Sequence, residues 1–128
     1  MKSSPIGDTA RMGKSILIVD DNAGFRASAR RVLEEEGYLI LGEAADGAAG
    51  VEAALELRPD IAIVDVQLPG IDGFEVARQI SQGASAPAIV LVSSRDRADY
   101  GSLVDDSPAK GFIAKAELSS KALAELIS

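Results

Sequence analysis

Short runs of aliphatic residues alternate along the chain with segments in which apolar residues recur every three or four positions. The runs have the length of buried β-strands, and the spaced segments have the period of helices that pack through one face. The pattern predicts strands at residues 16–19, 39–43, 61–64, 88–92 and 112–114. It predicts helices at about 23–36, 48–57, 74–81, 98–104 and 118–127, and residues 1–14 read as a mobile polar tail.

Some of these helices carry more specific signals. Asn22 is a good N-cap for the first helix, and Gly37 is a common residue after a helix end. In the second helix, Val51 and Leu55 are expected to face the core. Gly101 lies inside the fourth helical stretch, where glycine costs about 1 kcal/mol relative to alanine, so a short or mobile helix is expected there.

Five consecutive strand-helix units predict an α/β fold with a doubly wound parallel sheet of five strands. Continuous aliphatic strands are typical of parallel sheets buried under helices on both faces, with right-handed crossovers. Ligands of such folds bind beyond the carboxyl ends of the strands. The polar residues that follow the strands therefore indicate where chemistry could occur.

Acidic, hydroxyl and basic residues follow four of the five strands, at the predicted carboxyl edge of the sheet. They are Asp20 and Asp21 after the first strand, Asp65 after the third, Ser93 and Ser94 after the fourth, and Lys115 after the fifth. Each residue alone has an ordinary explanation as a turn, cap or surface residue. Their placement at one edge favours a shared site, in which we expect the lysine on the far side from the acidic pair.

Composition limits the chemistry of such a site. The 128 residues, 47% of them apolar, suit one domain, and the absence of Cys and His means that any metal must be held by oxygen. A net charge of -7 argues against nucleic-acid binding by this chain alone. No run is apolar enough for a membrane span or a secretory signal, so a cytoplasmic location is the default expectation.

Three clustered carboxylates need a counter-charge. Two of them 4 Å apart repel by about 4 kcal/mol at an effective dielectric near 20, and a divalent cation would offset this repulsion. Mg2+ is the natural occupant of an oxygen-only site and often binds together with a phosphate group. A lysine and a hydroxyl nearby would complete a site for phosphoryl transfer to an aspartate.

At these residues the sequence resembles the receiver domain of bacterial two-component response regulators over about residues 14–127. The motifs are "ILIVDDN", "IVDVQLPGIDGFEV", "IVLVSS" and "GFIAK". The resemblance implies a flavodoxin-like fold with strand order 2-1-3-4-5, a receiver domain at 15–128, and a stand-alone receiver with no effector domain in this chain.

The resemblance also implies a role for each site residue. Asp65 would accept the phosphoryl group; Asp20, Asp21, Asp65 and the backbone carbonyl of Gln67 would hold Mg2+. Ser93 would be the switch hydroxyl, Lys115 would contact the phosphoryl group, Phe112 would be the switch aromatic, and Pro69 and Gly73 would shape the loop. Ser94 remains the alternative to Ser93, and Ala116 replaces the proline that often follows the lysine.

The implied activity is signalling, in which the chain catalyses only its own phosphorylation and dephosphorylation. The donor would be a sensor histidine kinase or a phosphotransfer protein, and output would be a changed surface for an unknown protein partner. A haloacid dehalogenase-type phosphatase is a rival, but it requires an Asp two residues after the nucleophile, where Gln67 stands. A phosphate-independent pseudo-receiver is the second rival, although this chain keeps the acidic residues and the lysine.

Overall fold

The computed structural model describes residues 13–127. Strands and helices alternate through this part of the chain, and two short 3-10 helices lie at Arg97–Tyr100 and Lys115–Glu117. The main elements are β1 (Ser15–Val19), α1 (Ala23–Glu35), β2 (Leu39–Ala44), α2 (Gly47–Leu57), β3 (Ile61–Asp65), α3 (Gly73–Ser81), β4 (Ala88–Ser93), α4 (Leu103–Asp106), β5 (Gly111–Ala114) and α5 (Ser120–Ile127).

The five strands form one parallel sheet in the order β2-β1-β3-β4-β5. The predicted fold class and strand order are therefore confirmed. Because β1, β3 and β4 are adjacent, their carboxyl ends meet at one edge of the sheet, with Val19 opposite Val64 and Asp65 opposite Val92. This register brings the residues after β1 beside the end of β3.

Alternate strand residues point to two separate cores. One core lies under α1 and α5 and includes Ile16, Ile18, Leu33, Ile63 and Leu123. The other lies under α2 and α3 and includes Leu17, Val19, Val64, Val76 and Ile80. Both faces of the central strands are thus covered, which explains why those strands are apolar throughout.

Polar caps fix the starts of the helices that follow the sheet's carboxyl edge. The Asn22 side chain accepts a hydrogen bond from the Phe25 N–H at 2.9 Å, which confirms the predicted cap of α1. Asp72 does the same for α3, accepting from the Glu75 N–H at 2.9 Å. Such caps satisfy N–H groups that have no partner inside the helix, so each helix begins at a defined residue next to the site.

The prediction that Leu55 faces the core is wrong. Leu55 is 63% exposed, while Gly50 and Ala54 are buried on the inner face of α2. A Cβ atom on Gly50 would lie only 2.7 Å from Val19 Cγ1, so the helix sits very close to the strand. Small residues therefore form the inner face, whereas the prediction had assigned that face from the large apolar side chains.

The predicted fourth helix at 98–104 is also different in the structure. A 3-10 helix ends at Tyr100, Gly101 adopts a φ of +58°, and α4 is a single short turn at Leu103–Asp106. The left-handed backbone at Gly101 is incompatible with a continuous helix. The predicted interruption is thus present, but it divides the segment into two pieces.

The predicted tail at 1–14 lies outside the described residues except for Gly13 and Lys14. The Lys14 carbonyl accepts a hydrogen bond from the Leu39 N–H at 2.8 Å, so this residue is already tied to the sheet. Among residues 13–127, none of the helices combines the length and apolar character that crossing a membrane requires.

Candidate functional site

Three carboxylates converge at the carboxyl edge of the sheet. Asp20 and Asp21 directly follow β1, and Asp65 is the last residue of β3. One oxygen from each of the three side chains lies within 4.8 Å of the others. Asp20 is 0% exposed and Asp65 is 4% exposed, whereas Asp21 is open to solvent. The structure therefore brings together the three acidic residues that the sequence singled out.

Three of the four polar atoms of Asp20 are hydrogen-bonded, and the fourth, Oδ2, is ion-paired. Its N–H donates to the Ala44 carbonyl at 2.9 Å, and its own carbonyl accepts from the Arg26 guanidinium at 2.6 Å. Its carboxylate accepts from the Asn22 N–H at 2.8 Å through Oδ1 and faces the Lys115 ammonium at 2.6 Å through Oδ2. A fully buried charge is tolerated when it is paired and hydrogen-bonded in this way.

Lys115 lies inside the acidic cluster, so the prediction that it sits on the far side from the acidic pair is wrong. Its Nζ atom is 2.6 Å from Asp20 Oδ2, 3.5 Å from Asp65 Oδ2 and 4.6 Å from the centre of the Phe25 ring. The long lysine stem reaches across the sheet edge from β5 because two buried carboxylates attract the ammonium. Lys115 is therefore the counter-charge of both buried carboxylates.

The electrostatics of Asp65 are unfavourable despite this lysine. Burial, followed by the neighbouring negative charge of Asp20, raises the pKa of Asp65 to about 6. The Lys115 ammonium and a hydrogen bond from the Gln67 N–H, 3.3 Å from Asp65 Oδ1, act in the opposite direction. One cation does not offset three carboxylates, so the oxygen cluster suits a divalent cation in charge, donor type and spacing.

The loop after Asp65 is packed tightly against the site. A Cβ atom on Gly73 would lie 2.3 Å from the Asp65 carbonyl oxygen, and the Gly73 N–H donates to the Val66 carbonyl at 2.8 Å. Only glycine fits this close approach. The start of α3 is thus fixed directly against the backbone of Asp65, while the predicted metal-ligand role of the Gln67 carbonyl stays a prediction.

Ser93 and Ser94 have different environments at the end of β4. Ser93 is the last residue of the strand and is 0% exposed, whereas Ser94 is open to solvent. The Ser93 hydroxyl accepts from the Arg95 N–H at 3.0 Å and lies 2.6 Å from the hydroxyl of Tyr100. These are the hydrogen-bond partners of the Ser93 hydroxyl in the described part of the chain, and neither belongs to the acidic cluster.

Tyr100 is a residue that the sequence analysis missed. Its ring lies edge-on to Phe74 with centres 5.8 Å apart and is tilted against Phe112 with centres 5.9 Å apart. Phe112, the predicted switch aromatic, is half-buried, and Tyr100 contacts both its ring and the Ser93 hydroxyl. The available signal was an isolated aromatic residue in the otherwise polar stretch "SSRDRADYGS".

Comparison with known proteins gives a consistent result. Residues 16–128 match the family model described as response regulator receiver domain. The transcriptional regulatory protein PdtaR of Mycobacterium tuberculosis is 37% identical over 106 residues, which cover 83% of this chain and 51% of that protein. The chain thus spans about half the length of this curated relative.

Solved structures show the same similarity. A two-component response regulator of the LuxR family from Aurantimonas sp. SI85-9A1 matches with a TM-score of 0.79 and 30% identity, covering 89% of this chain and 85% of that one. The signal receiver domain of a modulated diguanylate cyclase from Desulfovibrio desulfuricans G20 matches with a TM-score of 0.78 and 32% identity, covering 90% of each chain.

Proposed function

Because the chain belongs to the response regulator receiver domain family, we propose that it accepts a phosphoryl group on Asp65 from a histidine kinase or a phosphotransfer protein. The observation that carries the proposal is the convergence of three carboxylates and Lys115 at one edge of the sheet. The domain, placed at residues 15–128, is a signalling module and not a turnover enzyme. Receiver domains typically act in the cytoplasm, and the proposal locates this chain there.

Asp65 is the proposed nucleophile because it is a strand-end carboxylate held beside Lys115. One of its oxygens would attack the phosphorus of a phosphohistidine in line with the phosphorus–nitrogen bond. That bond breaks, its electron pair stays on the imidazole nitrogen, and a ring protonated on its other nitrogen leaves as neutral imidazole. Asp65 is left as an acyl phosphate, which water later hydrolyses, releasing inorganic phosphate and restoring the carboxylate.

Asp20, Asp21 and Asp65 would hold Mg2+, with the Gln67 carbonyl as a further ligand. When bound, Mg2+ would supply the positive charge that allows a dianionic phosphoryl group to approach three carboxylates. The donor set of this chain fits that ion, since every ligand is an oxygen and two of the carboxylates are buried.

Lys115 and Ser93 are the proposed contacts of the phosphoryl oxygens. Lys115 Nζ lies 3.5 Å from Asp65 and can form a charge-assisted hydrogen bond with an oxygen carried there. Ser93 ends the strand beside β3 and can donate its hydroxyl proton. Its burial at the strand end favours Ser93 over Ser94 for this role.

The experiment is intact-mass analysis after incubation with a small phosphodonor such as acetyl phosphate, with Mg2+ or with EDTA. Wild type should gain one phosphoryl group only when Mg2+ is present, and Asp65→Asn should gain none. Asp106→Asn, the same change at an exposed position on α4, is the matched control and should be labelled like wild type.

When release of inorganic phosphate is measured in the same samples, each rival function gives a different result. A phosphatase would turn over the donor without accumulating the adduct, and a phosphate-independent binding module would do neither. Labelling of Asp65→Asn to the wild-type extent would remove Asp65 from the proposed role.

A further inference from the structure

The Ser93 hydroxyl has its hydrogen bonds outside the acidic cluster. It is 2.6 Å from the Tyr100 hydroxyl and accepts from the Arg95 N–H at 3.0 Å. A phosphoryl oxygen is an acceptor only, so a serine that binds it must donate its single proton. If Ser93 donates to Tyr100, that bond competes directly with the phosphoryl contact. If Tyr100 donates, the bond restrains the position of the Ser93 oxygen.

We propose that Tyr100 is a positioning residue for the phosphoryl site, which holds the Ser93 hydroxyl in the unphosphorylated arrangement until phosphoryl binding at Asp65 breaks the Ser93–Tyr100 bond. The inference rests on the proposed function of Asp65. It adds a residue from the 97–100 segment to the site. Movement of that segment would then follow directly from the loss of the Ser93–Tyr100 bond.

The bond restrains Ser93 in either direction, by using its proton in one case and by fixing its oxygen in the other. If Ser93 donates to Tyr100, its only proton is used and must be withdrawn before it can reach a phosphoryl oxygen. If Tyr100 donates, both acceptor positions of Ser93 are used, by Tyr100 and by the Arg95 N–H. Moving the Ser93 oxygen toward Asp65 then also costs a hydrogen bond.

The segment that carries Tyr100 can respond to this loss. Its 3-10 helix has only four residues and is followed at once by Gly101 with a φ of +58°. The Asp99 N–H donates to the Asp96 carbonyl at 3.0 Å, whereas the Gly101 N–H bond to the Ala98 carbonyl is longer at 3.3 Å, so the end of the turn that carries Tyr100 is the more weakly bonded end. The ring contacts with Phe74 and Phe112 would pass that movement to α3 and β5.

Tyr100→Phe tests the proposal because it removes the hydroxyl and keeps the ring that packs against Phe74 and Phe112. Beryllofluoride with Mg2+, titrated into the protein and followed by amide spectra, is the probe of the phosphoryl-bound state. The variant should bind beryllofluoride about fivefold more tightly than wild type, which is the effect of one neutral hydrogen bond that no longer has to break.

Two further variants make the result specific. In a Ser93→Ala background, adding Tyr100→Phe should change the beryllofluoride affinity by less than about 1.5-fold, since the bond is already absent. Tyr38→Phe removes the phenolic hydroxyl of the chain's other tyrosine, which lies in the opposite core, and should bind like wild type.

A measurement of the Tyr100 ring in the wild type tests the same proposal, with Ser93→Ala as the reference for a broken bond. The ring-carbon resonances of Tyr100 should shift when beryllofluoride binds, toward their positions in Ser93→Ala, while those of Tyr38 stay in place. Unchanged or weaker binding by Tyr100→Phe overturns the role of Tyr100 alone. A wild type that shows no response to beryllofluoride overturns the proposed function as well.

Discussion

Replacing Asp65 by Asn is expected to stabilise the metal-free protein at neutral pH. Asp65 is 4% exposed, and burial together with the charge of Asp20 raises its pKa from 3.8 to about 6. The rise corresponds to a cost of about 3 kcal/mol for keeping the folded-state carboxyl ionised. The neutral Asn side chain no longer attracts the Lys115 ammonium and accepts a weaker hydrogen bond from the Gln67 N–H than a carboxylate does. We therefore expect a net gain in unfolding free energy of about 1–3 kcal/mol.

The sign of the pH dependence follows from the direction of this pKa. Below pH 3.8 Asp65 is protonated in both states and costs nothing; above about pH 6 it is ionised in both, and its full cost to the folded state is present. Linkage gives a cost of about 3 kcal/mol at pH 7.5 and about half of that at pH 5. The advantage of Asp65→Asn over wild type should therefore shrink as the pH falls.

Urea unfolding in EDTA at pH 7.5 and at pH 5 would measure both quantities. In melting experiments the gain corresponds to about 4 °C per kcal/mol for a domain of this size. Asp106→Asn is the control and should change stability by less than about 1 kcal/mol. Mg2+ should stabilise wild type more than Asp65→Asn. A variant less stable than wild type in EDTA at pH 7.5, or an advantage unaffected by pH, would refute the electrostatic reasoning.

Three other changes have definite expected outcomes. Asp21→Ala should weaken Mg2+ binding at least tenfold by calorimetry and leave the metal-free melting temperature equal or higher, because one crowded negative charge is gone. Lys115→Ala should cost about 2–3 kcal/mol in urea unfolding without metal, since the buried Asp20 loses its counter-charge, and Mg2+ should recover part of this loss; unchanged stability would show that the ion pair contributes nothing. Gly73→Ala should lower both stability and phosphorylation, because its Cβ would lie 2.3 Å from the Asp65 carbonyl oxygen, whereas Gly83→Ala, with contacts of 3.5 Å or more, should be close to neutral by the same assays.

The fold and the acidic cluster were predictable from the sequence because both depend on simple regularities. Continuous aliphatic strands alternate with helices, and parallel strands present their carboxyl ends at one edge, so Asp20 and Asp65 were expected at the same edge. The strand order implied by the resemblance, with β1 beside β3, makes them neighbours. The inner face of α2 was not predictable in the same way. Its packing depends on the close approach of Gly50 to Val19, and a pattern based on large apolar residues assigns Leu55 to the wrong side.

The positions of long or isolated side chains were the other limit. The backbone of Lys115 was placed correctly after the fifth strand. Its ammonium reaches Asp20 because the side chain is long and flexible and the buried carboxylates attract its charge. Tyr100 was recognisable only as an isolated aromatic residue, and its role could not be inferred because its partners Ser93, Phe74 and Phe112 come from three different elements. Contacts of this kind depend on the assembled tertiary structure and not on local spacing.

The fourfold anchoring of Asp20 gives the pocket an uneven stiffness. Its N–H, carbonyl and both carboxylate oxygens each have a partner within 2.9 Å, so the β1 wall of the pocket is rigid. The opposite wall carries Ser93, whose hydroxyl contacts Tyr100 at the end of a four-residue 3-10 helix that is followed by Gly101. When a bulky group enters between a stiff wall and a compliant one, nearly all of the displacement occurs in the compliant wall. The anchoring of Asp20 thus keeps the β1 side of the site in place. A group bound at Asp65 would therefore displace the Ser93 and Tyr100 side alone.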